Sequence, residues 1–260
     1  MNILRVLAVL FGLLAVSNFL KPMEFSSDQG FVFMGRRLDG TPNLIAGWTF
    51  AIFLATYALA LWRRSAAALP LGIAYAAYVS ANLFLFTLRM PPPADSGQAA
   101  FGIAYTVVAL GCAWGAVVVM VRSGFAEIDP APGRIALRTF ALLFALMALS
   151  NALKPFAYTE DVGFVLLGQR LAGAANTTAA VTFSALLATY AASIWSERQL
   201  ALKLGIAYAA YVVVNLVMWS FRKPEGVETP MLYGILYLIS AIGVSSGAAA
   251  LLWKHRTRLA

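Results

Sequence analysis

Cysteine and histidine are almost missing from this chain: Cys112 is the one cysteine and His255 the one histidine among 260 residues. A single thiol excludes an intramolecular disulfide and a thiolate metal cluster. A single imidazole, placed in a basic tail, leaves haem, zinc and di-iron sites without ligands. No cofactor, metal or prosthetic group is therefore expected. Charge is scarce as well, at 12% of residues, roughly half the usual share of a soluble domain. None of the 11 acidic residues falls inside a long apolar run, which argues against a proton relay through a membrane core. The HExxH helix, the P-loop, the GxSxG elbow and DxxD-type metal motifs are also absent, and with them the chemistries those motifs carry.

What is abundant is apolar surface. Hydrophobic residues make up 61% of the chain, and the mean hydropathy is +0.79. One or two soluble cores cannot absorb that much, so a bilayer must act as solvent.

The chain also resembles itself. A shift of 133 positions lays Ser17-Asn18-Phe19-Leu20-Lys21-Pro22 over Ser150-Asn151-Ala152-Leu153-Lys154-Pro155. The same shift lays Gly72-Ile73-Ala74-Tyr75-Ala76-Ala77-Tyr78-Val79 over 205–212 unchanged, and Trp62 over Trp195. After one residue is lost in a later loop, Gly102, Gly111 and Gly115 fall on Gly234, Gly243 and Gly247. Such agreement marks a duplication.

Each half contains four apolar runs near the roughly 17–25 residues that span a bilayer. They are Ile3–Leu20, Asn43–Trp62, Leu69–Leu88 and Ala99–Val121, then Ile135–Leu153, Asn176–Trp195, Leu202–Phe221 and Met231–Trp253. The first run resembles a secretory signal, but its twin lies in mid-chain and no small-residue cleavage site follows. The expected fold is an all-α integral membrane protein, its eight transmembrane helices forming a tandem parallel 4+4 repeat. The domains read as a first four-helix repeat over 1–121, a cytoplasmic linker over 122–134 and a second repeat with a basic tail over 135–260. The linker holds Asp129-Pro130-Ala131-Pro132-Gly133, a stretch no helix interior tolerates.

An even number of spans per half brings both halves in from the same side. Of the 19 Lys and Arg, eleven fall on the side of the termini and linker and eight on the other. That bias places both termini in the cytoplasm, and the high alanine content suggests a bacterial inner membrane. The net charge of +8 is spread over loops and tail and suits an anionic leaflet better than nucleic acid. The bilayer is thus the expected partner, with nucleic acid excluded and self-association open. Gly111-x-x-x-Gly115 and Gly243-x-x-x-Gly247 are read as close-packing faces on the last helix of each half.

Two patterns carry the functional expectation. On the third helix Tyr75, Tyr78, Asn82 and Arg89 are spaced by three, four and seven residues, and Tyr208, Tyr211, Asn215 and Arg222 repeat the spacing. These positions share one helical face, and a polar face on a spanning helix turns from lipid toward an interior. On the second helix Asn43, Phe50 and Tyr57, matched by Asn176, Phe183 and Tyr190, form an opposing stripe. The other pattern is a loop of about twenty residues after the first helix of each half, too long for a simple reversal. It follows Lys21-Pro22 or Lys154-Pro155, read as helix stops, and carries Asp28 and Arg37, or Asp161 and Arg170. Its glycine-bounded apolar stretch is expected to lie in the interface as an amphipathic or re-entrant segment.

The expected ligand site joins Lys21, Arg37, Tyr78, Asn82 and Arg89 with Lys154, Arg170, Tyr211, Asn215 and Arg222. Guanidinium groups suit bidentate contact with carboxylate or phosphate. A non-enzymatic binder or transporter of a small anionic or amphiphilic compound, entering an outer-side cleft between the repeats, is the leading expectation. A membrane-embedded enzyme acting on a lipid or isoprenoid is the alternative, weakened by the lack of a nucleophile or acid–base pair. A third reading is an accessory subunit that packs through its glycine faces.

Overall fold

The computed structural model describes residues 3–24, 30–89, 96–131, 133–157, 163–222 and 231–260. They form two compact units, 1–135 and 136–260. Unit 1 contains α1 (Ile3–Glu24), a hairpin of β1 (Val32–Phe33) and β2 (Arg36–Arg37), α2 (Gly40–Trp62), α3 (Ala68–Arg89), α4 (Ser96–Arg122) and the short α5 (Phe125–Ile128). Unit 2 contains all but the first two residues of α6 (Arg134–Ala157), a hairpin of β3 (Val165–Leu166) and β4 (Gln169–Arg170), α7 (Gly173–Trp195), α8 (Gln199–Arg222), α9 (Met231–Lys254) and a 3-10 turn at Arg256–Arg258.

Eight of these helices are long and apolar enough to cross a membrane, the architecture of a multi-pass membrane protein. The 22 residues of α3 reach about 33 Å at 1.5 Å per residue, the depth of a hydrocarbon core. Large apolar side chains such as Leu13, Ile52, Phe101 and Val107 are exposed along them, as lipid-facing positions are.

In unit 1, Phe11 of α1 lies 4.5 Å from the Tyr57 ring of α2 and edge-on, at 5.6 Å, to Tyr75 of α3. In unit 2, Phe144 repeats this with Tyr190 at 4.6 Å and Tyr208 at 5.6 Å. Offset and edge-on geometries are those aromatic quadrupoles favour. Gly72 and Gly205 explain how the tyrosines fit. A Cβ at Gly72 would lie 2.7 Å from the Tyr57 hydroxyl, and one at Gly205 2.7 Å from that of Tyr190. The glycine of each Gly-Ile-Ala-Tyr run lets a phenol rest against the backbone of the neighbouring helix.

Several boundaries differ from expectation. The Lys-Pro pairs do not stop their helices, since α1 continues through Pro22 to Glu24 and α6 through Pro155 to Ala157. A proline removes one backbone donor and crowds one carbonyl, a loss the final turn absorbs. Helix α2 starts at Gly40, with Asp39 in the N-cap position, rather than at Asn43. The α2–α3 turn closes with Ser65 N donating to Ala60 O at 2.8 Å and Arg64 N to Leu61 O at 3.2 Å, the paired bonds of a Schellman end. Arg64 holds φ +50 there and Glu197 φ +52 in the equivalent turn, left-handed positions usually given to glycine. The close approach expected at Gly111 and Gly115 is not made inside unit 1, where no described atom lies within 4 Å of a Cβ built on either. At Gly247 such a Cβ would meet Phe140 at 3.6 Å.

Candidate functional site

Over its described residues the long loop after the first helix of each half forms strands. Its described part is an antiparallel hairpin pairing Val32 with Arg37 and Phe33 with Arg36, closed by Leu38 N donating to Phe31 O at 2.9 Å. Residues 165–170 form the same hairpin, pairing Val165 with Arg170 and Leu166 with Gln169. The turn residues Met34 and Gly35 have φ +48 and +74, and Leu167 and Gly168 have +48 and +75. Two successive positive φ values define the turn whose twist matches paired strands. Gly35 is required twice over. Besides its left-handed φ, a Cβ there would lie 2.5 Å from the backbone carbonyl carbon of Leu85 in α3, so the hairpin tip presses directly on that helix.

A hairpin of two-residue strands is not stable alone, and side chains of the two expected stripes hold it. Asn43, buried on α2, accepts from Phe31 N through Oδ1 at 2.7 Å. Asn82 of α3 accepts from Gly35 N at 2.8 Å and donates through Nδ2 to Val32 O at 3.1 Å. The Tyr78 hydroxyl donates to the same carbonyl at 3.3 Å, and Arg89 Nη1 donates to Met34 O at 2.6 Å. In unit 2, Asn176 accepts from Phe164 N at 2.7 Å, Asn215 from Gly168 N at 3.2 Å, and Tyr211 and Arg222 donate to Val165 O at 3.3 Å and Leu167 O at 3.2 Å. Inside lipid a backbone group without a partner is costly. These polar residues supply the partners that let a non-helical segment lie against spanning helices.

Aromatic rings fill the space beneath. Phe31 and Tyr78 both pack on Phe50, at 5.1 and 4.4 Å, and Phe33 is fully buried 5.9 Å from Tyr78. Phe164, Phe183 and Tyr211 form the matching ladder, with separations of 4.9 and 4.7 Å.

The remaining expected residues ring the hairpin. The Arg37 guanidinium lies 6.0 Å from the Phe86 ring centroid and that of Arg170 lies 5.5 Å from Trp219, within reach of cation–π attraction. Lys154 Nζ bonds to Asn151 Oδ1 at 3.2 Å and sits 5.6 Å from the Phe164 ring centroid. Lys21 is half-buried in the last turn of α1. Asp28 and Asp161, the counter-charges expected from the sequence, fall outside the described residues. Unit by unit, the structure thus brings Tyr78, Asn82 and Arg89 together on one hairpin, and Tyr211, Asn215 and Arg222 on the other, with Arg37 and Arg170 on the hairpins themselves.

Three participants were not read from the sequence in these roles. Asn43 and Asn176 were read as members of the second-helix stripe and not as partners of a hairpin backbone, and Asn151 was passed over although it positions Lys154. The exact recurrence of all three asparagine pairs, 18/151, 43/176 and 82/215, was the available signal. Among the described residues no three His, Cys, Asp or Glu side chains gather as metal ligands. Comparison with family models, with curated proteins and with solved structures returned no match.

Proposed function

We propose that this multi-pass membrane protein binds a small anionic or amphiphilic compound at the hairpin end of its four-helix units, either retaining it or passing it across the bilayer. The proposal includes a tandem parallel arrangement of the halves, in a bacterial inner membrane with both termini cytoplasmic. The observation that carries it is the character of the contacts made by three cations. Arg89 and Arg222 bond to the carbonyls of Met34 and Leu167, and Lys154 to the amide of Asn151 and the ring of Phe164. All four partners are neutral, so these contacts orient the positive charges without cancelling them. A carboxylate or phosphate could add to each without displacing its neutral partner. The part-buried rings of Phe86 and Trp219 beside Arg37 and Arg170 offer an apolar surface for the remainder of an amphiphile.

Within this reading the cations Lys21, Arg37, Arg89, Lys154, Arg170 and Arg222 meet the anionic group. Tyr78, Asn82, Tyr211 and Asn215 hold the hairpins that frame it. The test is thermal unfolding of the purified chain in neutral detergent during titration with short- and medium-chain carboxylates and alkyl phosphates. Wild type should be stabilised, and the response should fall in Lys21→Ala/Lys154→Ala and in Arg89→Ala/Arg222→Ala. A wild-type melting temperature that no anion moves removes the proposal.

A further inference from the structure

At the opposite end of unit 2 the basic tail expected from the sequence is folded. Ala260 N donates to Glu197 O at 2.9 Å, and Gln199 N donates to Ala260 O at 2.9 Å. Leu259 is buried with Ile194, Ala201 and Leu252 in the core of the unit. Residues 256–260 therefore form a strap across the α7–α8 turn, pinned by two backbone bonds and one apolar anchor. The strap brings Arg256 and Arg258 to the turn carrying Arg198, with Lys203 in the adjoining part of α8 and Lys254 at the end of α9; all five are exposed. Even when the one negative charge of Glu197 is subtracted, the five cations leave the surface net positive.

Tryptophans border this surface. Trp195 and Trp253 are both exposed, and the guanidinium groups of Arg138 and Arg256 lie 5.3 and 4.9 Å from their ring centroids. Exposed indoles beside cations at the ends of apolar helices mark the depth of lipid headgroups. A nucleic acid would meet the same charge, but the surrounding apolar helix walls suit acyl chains.

We propose that the strap, the α7–α8 turn and the end of α9 form a docking surface for the phosphate headgroups of anionic phospholipids. The strap fixes the spacing of its cations, which a free tail would leave scattered. The ammonium and guanidinium groups meet the phosphate, and the indoles lie beside the glycerol and upper acyl region. This surface is independent of the hairpin end and does not rest on the anion-binding proposal made for it.

The test uses the full chain in neutral detergent at low salt, with phosphatidylglycerol or phosphatidylcholine added in mixed micelles and melting followed. Phosphatidylglycerol should stabilise wild type more than phosphatidylcholine. Lys203→Gln/Lys254→Gln/Arg256→Gln, all at exposed positions, should lower the apparent affinity for phosphatidylglycerol by about a hundredfold. Leu259→Ala keeps every charge but releases the strap, and should lower it about tenfold. Arg5→Gln/Arg63→Gln/Arg122→Gln in unit 1, all at exposed positions, removes the same three charges and should have a much smaller effect. Equal stabilisation by the two lipids overturns the proposal, as does retention of affinity within threefold in the triple variant. So does an equal loss in the unit 1 control, full competition by millimolar inorganic phosphate, or preferential binding of a single-stranded oligonucleotide.

Discussion

Replacing Asn82 by alanine removes a side chain that bonds both the first strand and the turn of the first hairpin. Its Oδ1 accepts from Gly35 N at 2.8 Å and its Nδ2 donates to Val32 O at 3.1 Å. Losing the acceptor leaves the Gly35 N–H unsatisfied against α3, at about 1–3 kcal/mol. Losing the donor costs about 1 kcal/mol, because Val32 O keeps the Tyr78 hydroxyl. The sum, about 2–4 kcal/mol, raises the undocked fraction of the hairpin between about thirtyfold and a thousandfold. Tyr78→Phe removes the 3.3 Å bond to Val32 O, an acceptor that keeps Asn82, and its effect should stay within about tenfold. Amide exchange of a peptide covering residues 30–38, followed by mass spectrometry in detergent, reads both. Exchange in Asn82→Ala within threefold of wild type, or faster exchange in Tyr78→Phe than in Asn82→Ala, would refute the view that the polar stripe is the hairpin's seat.

Other substitutions probe the same logic. Gly35→Ala combines a left-handed φ with a clash against the Leu85 backbone, whereas Gly40 has φ +53 but nothing within 4 Å of its added Cβ. Gly40→Ala should therefore cost about 1–2 kcal/mol, and Gly35→Ala enough more to lower the yield of folded protein on size-exclusion chromatography. The Tyr57 hydroxyl reaches Met120 Sδ at 3.8 Å, while that of Tyr190 is buried and has no hydrogen-bond partner among the described residues. Tyr190→Phe should stabilise the chain by about 1 kcal/mol and Tyr57→Phe leave it nearly unchanged or slightly weaker, as measured by unfolding in a denaturing detergent. A Cβ at Gly205 would meet both Tyr190 and Leu252, so Gly205→Ala should lower the melting temperature, at a cost of about 1–3 kcal/mol.

The two units handle the tyrosine differently because of one side chain. Met120 supplies a thioether in unit 1, and Leu252, fully buried beside Gly205 and Tyr190, supplies only methyl groups in unit 2. Neither sequence position signals this by itself. The hydroxyl's fate depends on which residue of another helix arrives at its tip.

The number of spanning helices and their rough extents were legible in the chain, because lipid filters local composition directly. A run of some twenty apolar residues must become a helix where nothing else can satisfy the backbone. The helical spacing of Tyr78, Asn82 and Arg89 likewise announced a shared face. What that face holds was not legible. Strands of two residues show no alternation to detect, and Met34-Gly35 lacks the Asn-Gly or Asp-Gly signature of its turn. The folding of the basic tail was not legible either, because the anchoring of Leu259 depends on apolar residues of three other helices. The sequence alone determined which segments enter the bilayer, since that is set by each segment's own exchange of water for hydrocarbon. Tertiary structure alone decided that the polar stripes grip hairpins and that the tail becomes a strap, since both outcomes depend on partners dozens of residues away meeting at hydrogen-bond distance.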